Sequence, residues 1–397
     1  MHIHRIKENE DLYTLGREYS IAPVMLMDNN GIYGVKHPPK DTEMLIAIPS
    51  RTYNVRRGDT LASIAKRFAV SEEYLKQINP SLCGRSSVYP SQILAIKYQD
   101  RLFGTCVSNG YFYQGCSIDK LICTLPYTSY ITICSARSDG EKITALFRDD
   151  GIIDIAKKCN KRVLLRIYVQ DIPDGINGKS ELINSSILLA IAHRYDGITL
   201  SSPTKKVSVN EEYIDFISSF KEACHNNNLT LFIEGDIELM PEYFKNSDSA
   251  ILTYDKLHLK EIPSFLEGEY AKMQTFADKS DAFRAFIELP SFAFDGKNYV
   301  PCEDVARKII KGRLTVKHDN ERQIIHCNSQ RENYVIESLE NTKSKLEGIS
   351  ELGFMGVCFD IMRTDIRILF MLSQMFAIAN MPIGEGKLRC DGSEKSE

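Results

Sequence analysis

The sequence predicts an α/β protein, a (β/α)8 barrel preceded by two small strand–helix–helix–strand modules. Three observations carry that expectation. Residues 3–49 repeat as residues 52–97, with an offset of 49 over the first half of the unit. After residue 101, eight apolar strand-like runs alternate with amphipathic helical patterns, the rhythm of a parallel sheet closed into a barrel. Hydrophobic residues make up 43% and charged residues 26% of 397, ordinary globular usage with enough chain for two or three units.

In the repeat, "IKENEDLYTLGREYSIAPVMLMDNN" and "VRRGDTLASIAKRFAVSEEYLKQIN" align without a gap. Leu12 matches Leu61, Leu15 matches Ile64, Tyr19 matches Phe68, Ile21 matches Val70, Leu26 matches Leu75 and Asn30 matches Asn79; a one-residue slip then aligns "LIAIP" with "ILAIK". In the second copy "TYNV" reads as a strand, and Asp59 or Thr60 caps a helix running through Phe68. Ser71 starts another helix, and "SQILAIKY" closes the unit with the period-two alternation of a strand. The modules are therefore placed at 1–50 and 51–98, with a short polar hinge expected around Tyr98 to Arg101. Units this small bury little surface, so two packed together are physically sensible.

The eight later strands are read at "NGYFY", "YITICSA", "RVLLRIYV", "GITLSS", "LTLFIEG", "SAILTYD", "RAFIELP" and "GVCFDIM". Helices such as "DDGIIDIAKKCN" and "NEEYIDFISSFKEACHNNN" lie between them, which places the barrel at 102–385. The gap from the seventh to the eighth strand is long, so an inserted subdomain is expected at about 291–355. Within it "VIESLENTKSKLEGISELGF" reads as one helix with Ile336, Leu339, Leu346 and Ile349 inward. The apolar run Ile368 to Met381 is broken by Ser373, Gln374 and Asn380 and is shorter than the ~20 residues needed to span a bilayer, so it reads as a buried helix. Residues 386–397 read as a disordered tail.

Composition removes several functions. A net charge of −4 without a basic stripe argues against a nucleic-acid partner. The start "MHIHRIKENEDLYTL" lacks the apolar core of a signal peptide, which argues for synthesis in the cytoplasm without Sec export. The 11 Cys are odd in number and show no CxxC pair or Cys/His zinc spacing; no metal and no cofactor are expected. Reduced core thiols such as Cys134 and Cys358 are the plain reading, with Cys83 and Cys390 as crosslinking candidates. His326 and Cys327 have no base or ligand pattern around them.

The second repeat, "GDTLASIAKRFAVSEEYLKQINP", resembles a LysM module; the first resembles one more weakly, because Asn9 and Glu10 stand where Gly and Asp are usual. LysM modules bind N-acetylglucosamine chains in peptidoglycan or chitin. The resemblance implies glycan contacts from Gly58, Asp59, Thr60 and Leu61 with Asn79, Pro80, Ser81 and Leu82, and from Asn9, Glu10, Asp11 and Leu12 with Asn30, Gly31 and Ile32. The barrel resembles glycoside hydrolase family 18 through "LPYTSYITICSARSDGEKI", "RYDGITL", "NEEYIDFI", "AILTYD", "LPSFAFDG" and "GFMGVCFDI", taken in order. Tandem LysM modules before such a barrel are similar to spore cortex-lytic N-acetylglucosaminidases, which implies peptidoglycan as partner, spore coat proteins as further partners, and a place in the spore coat or cortex.

The resemblance also exposes what is missing. In family 18 the fourth barrel strand ends Asp-Gly-x-x-x-Asp-x-Glu; the Glu protonates the glycosidic oxygen and the Asp before it orients the substrate acetamide, which acts as nucleophile. Here Asp196 and Gly197 match the start, Thr199 lies within the motif, Ser201 takes the orienting position and Pro203 the acid position. Proline has no side-chain proton to give, and loss of a general acid alone costs ~10²–10⁴ in rate. Tyr254 and Asp255 match the family's acetamide-holding tyrosine and the Asp after it, while Phe359 and Asp360 occupy the strand where the family presents a Trp floor; the chain has no Trp. The leading expectation is a noncatalytic, pseudoenzyme barrel on a glycan-binding chain. An active glycosidase using relocated acids, from Glu234, Asp236, Glu288, Asp255 and Asp360, is the alternative, and a purely structural coat component is the third.

Overall fold

The structure is a computed structural model that describes residues 1–98, 103–139, 143–169, 175–201, 211–238, 240–253, 268–290 and 292–379. Pro203, Tyr254, Asp255 and Cys390 lie outside the described residues.

The two repeats fold alike. Strand β1 (His2–Arg5), helices α1 (Leu12–Glu18) and α2 (Pro23–Asn30) and strand β2 (Glu43–Ile46) form the first; β3 (Arg51–Asn54), α3 (Leu61–Phe68), α4 (Glu72–Ile78) and β4 (Ile93–Lys97) form the second. Each module pairs its two strands antiparallel. Capping boxes at Asp11 and Thr60 start α1 and α3, each side chain satisfying an orphan helix N–H, and Ser71 caps α4. Asn79 closes the second module: its Nδ2 donates to the Leu75 and Ala95 carbonyls at 2.8 and 2.9 Å while its Oδ1 accepts from Ala95 N–H at 2.7 Å. Asn30 makes the same three bonds in the first module, to Leu26, Leu45 and Leu45 N–H. The divergent turn is conserved in shape as well. Asn9 adopts φ 65°, the left-handed region that Gly58 occupies at 89°, and Glu10 accepts the Lys7 N–H at 2.8 Å as Asp59 accepts Arg56 N–H at 2.8 Å.

The rest of the chain runs β5 (Thr105–Phe112), α5 (Ile118–Thr124), β6 (Tyr130–Ser138), β7 (Ile143–Ala145), α6 (Asp150–Lys158), β8 (Arg162–Val169), α7 (Gly175–Ala192), β9 (Gly197–Ser201), α8 (Glu211–Asn226), β10 (Thr230–Asp236), α9 (Met240–Tyr243), β11 (Ser249–Thr253), α10 (Glu269–Lys279) and β12 (Ala285–Glu288). It continues through β13 (Phe292–Phe294), β14 (Tyr299–Pro301), α11 (Cys302–Ile310), β15 (Thr315–Asp319), β16 (Ile324–Asn328), β17 (Asn333–Glu337), α12 (Leu339–Glu351), β18 (Gly356–Asp360), α13 (Ile366–Met375) and β19 (Ala377–Ile378). Strands β5, β6, β8, β9, β10, β11, β12 and β18 pair parallel in that order, and β18 returns to β5, so the eight-stranded barrel is closed. The five strands from β13 to β17 form a separate antiparallel sheet between the seventh and eighth barrel strands.

Three local expectations are corrected. Ile336 belongs to strand β17 and packs in the core of the inserted sheet; the helix begins only at Leu339, where Ser338 caps it. The buried helix after β18 ends at Met375, and Ala377 and Ile378 pair with β5 instead. Cys83, the crosslinking candidate within the described residues, does form a disulfide, and its partner Cys123 of α5 is therefore not a reduced thiol.

The modules are docked on the barrel, while residues 99–101 of the expected hinge, and the expected tail 386–397, lie outside the described residues. Tyr98 is buried, stacks edge-on against Phe370 of α13 and donates its hydroxyl to Asn29 Oδ1 at 3.2 Å. The first module is held through Glu43, whose carbonyl accepts from Arg367 at 2.8 Å and whose Oε2 accepts from Leu339 N–H at 2.7 Å. The second is held through Gln77 to the Pro126 carbonyl at 2.9 Å and Lys161 to Glu73 at 2.8 Å, with the Cys83–Cys123 bond alongside. Gly84, next to that disulfide, has φ 69°, and a Cβ there would lie 1.8 Å from the Ile122 carbonyl oxygen. Gly34 shares the left-handed backbone, φ 79°, yet nothing lies within 4 Å of its would-be Cβ. Gly84→Ala is therefore expected to lower stability by about 1–3 kcal/mol more than Gly34→Ala, read by urea unfolding, because only the former adds a collision between module and barrel to the backbone strain. Equal losses would show that the second module is not pressed onto α5.

Candidate functional site

The barrel interior is built in tiers set by strand alternation. Its lower tier is an aromatic plug: Tyr130 and Phe232 ring centroids are 5.4 Å apart, Phe232 and Phe286 5.8 Å, and Tyr130 and Phe286 6.2 Å. Thr132 Oγ1 donates to Asn109 Oδ1 at 2.8 Å nearby, with both residues fully buried. Two residues further along their strands from Leu164 and Phe232, toward the carboxyl ends, Arg166 and Glu234 project on the same inward parity.

These two make the centre of the site. Arg166 donates from Nε to Glu234 Oε2 at 2.8 Å and from Nη2 to Oε1 at 2.7 Å, a bidentate pair. Tyr111 hydroxyl donates to Oε2 at 2.8 Å and Ser201 Oγ to Oε1 at 3.1 Å, and Arg166 Nη2 also reaches Ser201 Oγ at 2.8 Å. Four hydrogen bonds occupy the roughly four lone-pair directions of one carboxylate. Burial pushes the Glu234 carboxyl up, but the Arg166 charge and the bonds from Arg166, Tyr111 and Ser201 outweigh it and hold it below the usual range. Glu234 is therefore an ionised carboxylate with no proton to donate. Burial drives the Tyr111 hydroxyl well up, helped by the Glu234 charge, so it stays a donor.

The motif positions on the fourth barrel strand separate. Asp196 sits just before β9 and works as a staple: its Oδ2 accepts Val163 N–H at 2.7 Å and its Oδ1 accepts Lys157 at 3.1 Å. Thr199 is fully buried, and its Oγ1 has no hydrogen-bond partner among the described residues. Among the described motif positions Ser201 alone reaches the central cluster, registered against Glu234 on the next strand.

The other acids are differently employed. Asp236 accepts Glu238 N–H at 2.8 Å, and Glu288 lies beside Cys358, whose thiol burial and then the Glu288 charge push well up. Asp360 accepts Met362 N–H at 2.9 Å and Arg363 Nη1 at 2.9 Å; burial still raises its carboxyl above the usual range despite Arg363. Arg363 lies over both Tyr113 and Phe292, at 5.3 and 4.9 Å from the ring centroids, so the inserted sheet contributes to the rim at the carboxyl ends of the strands. Phe359 is fully buried in the layer between strands and helices and does not face the mouth. Sequence reasoning missed Arg166 and Tyr111. The available signal was a charged residue on the inward parity of an otherwise apolar strand, "RVLLRIYV".

In the modules, the side chains of Leu12, Ile32, Leu61, Leu82, Asn30 and Asn79 are all buried in the cores. What the corresponding loops leave at the surface is Asn9, Gly31, Gly58 and Thr60, with Glu10, Asp11, Asp59, Pro80 and Ser81 half-buried.

Residues 53–97 match the model of the LysM domain. No curated protein matches the chain by sequence. Among solved structures the chain is similar to the spore cortex-lytic enzyme SleL of Bacillus cereus, with TM-score 0.71 at 16% identity over 96% of this chain and 100% of that one. It is similar to SleL of Bacillus megaterium QM B1551, with TM-score 0.70 at 12% identity over 96% and 99%. A chitinase from Chromobacterium violaceum matches with TM-score 0.58 at 12% identity, over 68% of this chain and 98% of that one. The chain thus has a LysM domain and the fold of cortex-lytic enzymes and chitinases.

Glu234→Leu strands a largely buried guanidinium and is expected to cost about 2–4 kcal/mol of stability, whereas Arg166→Met combined with Glu234→Leu recovers most of it. Denaturant unfolding of the two single variants and the double variant checks this, and additive losses would refute the coupling. Because the folded carboxyl lies below the ordinary 4.5, its contribution is complete above that value and is lost as pH falls through the folded one. The acid limb of the stability curve is expected to flatten in the double variant.

Proposed function

We propose that this protein binds N-acetylglucosamine-containing peptidoglycan through its LysM modules in the spore envelope, and that its barrel is noncatalytic, serving as a scaffold or glycan-binding surface. The observation that carries the reading is the saturated Glu234 carboxylate, locked to Arg166 beneath the strand end where a hydrolase of this kind needs acids. A general acid must hold a proton near neutral pH, and the guanidinium beside Glu234 keeps the proton off. The sequence adds Ser201 and Pro203 at the two acid positions. Fold alone does not restore an activity, since chemistry resides in particular side chains.

The LysM match over 53–97 and the likeness to two spore cortex-lytic enzymes support the glycan and the setting. The first module contributes to the same role, since Asn9 and Glu10 keep the turn geometry of Gly58 and Asp59. The proposed division is 1–50 and 51–98 for the modules, 102–385 for the barrel and 386–397 for a tail. Spore coat proteins are the proposed further partners. One observation favours a second reading: Asp360, at a barrel strand end, has its carboxyl raised by burial and is the acid best suited to a residual glycosidase.

The test is digestion of spore cortex peptidoglycan, with and without its muramic-δ-lactam, by the purified full chain, following reducing ends and released muropeptides by mass spectrometry beside a pull-down on the same glycan. Binding without cleavage is the expected result. Cleavage abolished by Asp360→Asn would overturn the noncatalytic reading, and absence of binding would leave the purely structural coat role.

A further inference from the structure

On the outer face of the barrel wall, three potential ligand atoms converge outside the cluster described above. Asp149 precedes α6, Asp150 is its first residue, and His193 follows the end of α7. His193 Nδ1 lies 3.2 Å from Asp149 Oδ1 and 3.3 Å from Asp150 Oδ1, and the three atoms all fall within 4.8 Å of one another. Asp149 is 4% exposed, yet neither its Oδ1 nor His193 Nδ1 has a hydrogen-bond partner among the described residues. An imidazolium paired with a carboxylate would aim its N–H at one oxygen; here the nitrogen faces two oxygens and bonds to neither. A buried carboxylate oxygen without a donor is costly, so a partner of another kind is called for.

We infer that Asp149, Asp150 and His193 form a binding site for a divalent transition-metal cation of the zinc type. Bonds of about 2.0–2.2 Å from such a cation to nitrogen and oxygen put neighbouring ligand atoms about 3–3.5 Å apart, which matches the two separations found here. One neutral imidazole with two carboxylates suits zinc and its neighbours better than calcium, which takes six to eight oxygens. The supporting shell is in place. Tyr195 hydroxyl donates to Asp149 Oδ2, leaving Oδ1 free to ligate, and Ser135 Oγ shares a 3.1 Å bond with the same hydroxyl. Tyr195 and Ser135 are both buried, so the orienting chain is shielded from water. Asp150 and His193 are 67% and 36% exposed at the side chain, which gives the ion a path in and leaves room for a water ligand. The site would tie the start of α6 to the end of α7.

The test uses the full-length protein, stripped by a chelator and dialysed, then titrated with zinc chloride by calorimetry. Asp150→Asn and His193→Ala alter an exposed and a half-exposed side chain at the edge of the wall, and circular dichroism checks that the fold is retained. The wild type is expected to bind one zinc equivalent that each variant loses or binds at least ~10-fold more weakly, and Tyr195→Phe is expected to weaken it ~10–100-fold. Eight free cysteines among the described residues could also take up zinc, so cobalt(II) is substituted as a spectroscopic probe. Ligand-field bands without thiolate charge transfer, lost in His193→Ala, would support the site. Unchanged stoichiometry and affinity in both variants, or cobalt bound entirely through thiolate, would overturn it.

Discussion

A largely buried ion pair at the centre of the barrel constrains the strands around it. Arg166 and Glu234 come from strands separated by β9, and their bidentate contact fixes how the third, fourth and fifth barrel strands face each other. Burying two charges is expensive, and the attraction between them offsets that cost only when the remaining lone pairs are also satisfied. Tyr111 from the first strand and Ser201 from the fourth provide that satisfaction. The same arrangement that lets a charged pair persist inside the barrel also consumes the Glu234 carboxylate that lies against Ser201.

Much of the fold was legible because it follows from periodicity. The eight barrel strands are apolar runs at regular spacing, and all eight were found, although β5 begins at Thr105, earlier than "NGYFY" suggested. The modules were legible through their repeat and their caps, since Thr60 and Ser71 do what their side chains dictate at a helix start. The misses are places where tertiary contact overrides local pattern. Ile336 fits the helical stripe of α12, but pairing with Ile325 of β16 makes it a strand residue. Ala377 and Ile378 continue an apolar run, yet the start of β5, ahead of its pairing with β6 and β18, captures them. Cys123 lies within a helix 40 residues from Cys83, a separation that carries no spacing signal.

The site was only partly legible, for a different reason. Motif reasoning located Ser201, because the fourth strand of the barrel is where acids would stand. It could not foresee that Glu234 on the fifth strand would fill the space beside Ser201, since that depends on barrel register, Ser201 opposite Glu234, and on Arg166 arriving from the third strand. The acids differ in environment rather than in sequence: Glu234 meets a guanidinium and is held ionised, whereas Asp360 meets Arg363 at a half-exposed rim and burial prevails. Asp149, Asp150 and His193 were equally invisible, because their spacing resembles no metal motif and only the packing of α6 against the end of α7 brings them together.

The docking of the modules bears on how a glycan would be met. Asn79, Ser81 and Leu82 belong to the segment facing α2 of the first module, and Cys83 is bonded to the barrel, so this side of the second module is committed to internal contacts. The turn at Gly58 and Thr60 remains exposed. A tether would allow the modules to sample the wall independently and raise effective concentration through its length. Glu43, Gln77 and Tyr98 instead hold both modules against α12, α13 and the α5 region, so the position of any bound chain relative to the barrel mouth is set by packing. Such rigidity, set by Glu43, Gln77 and Tyr98, limits the ordering entropy lost when a polymer binds the modules.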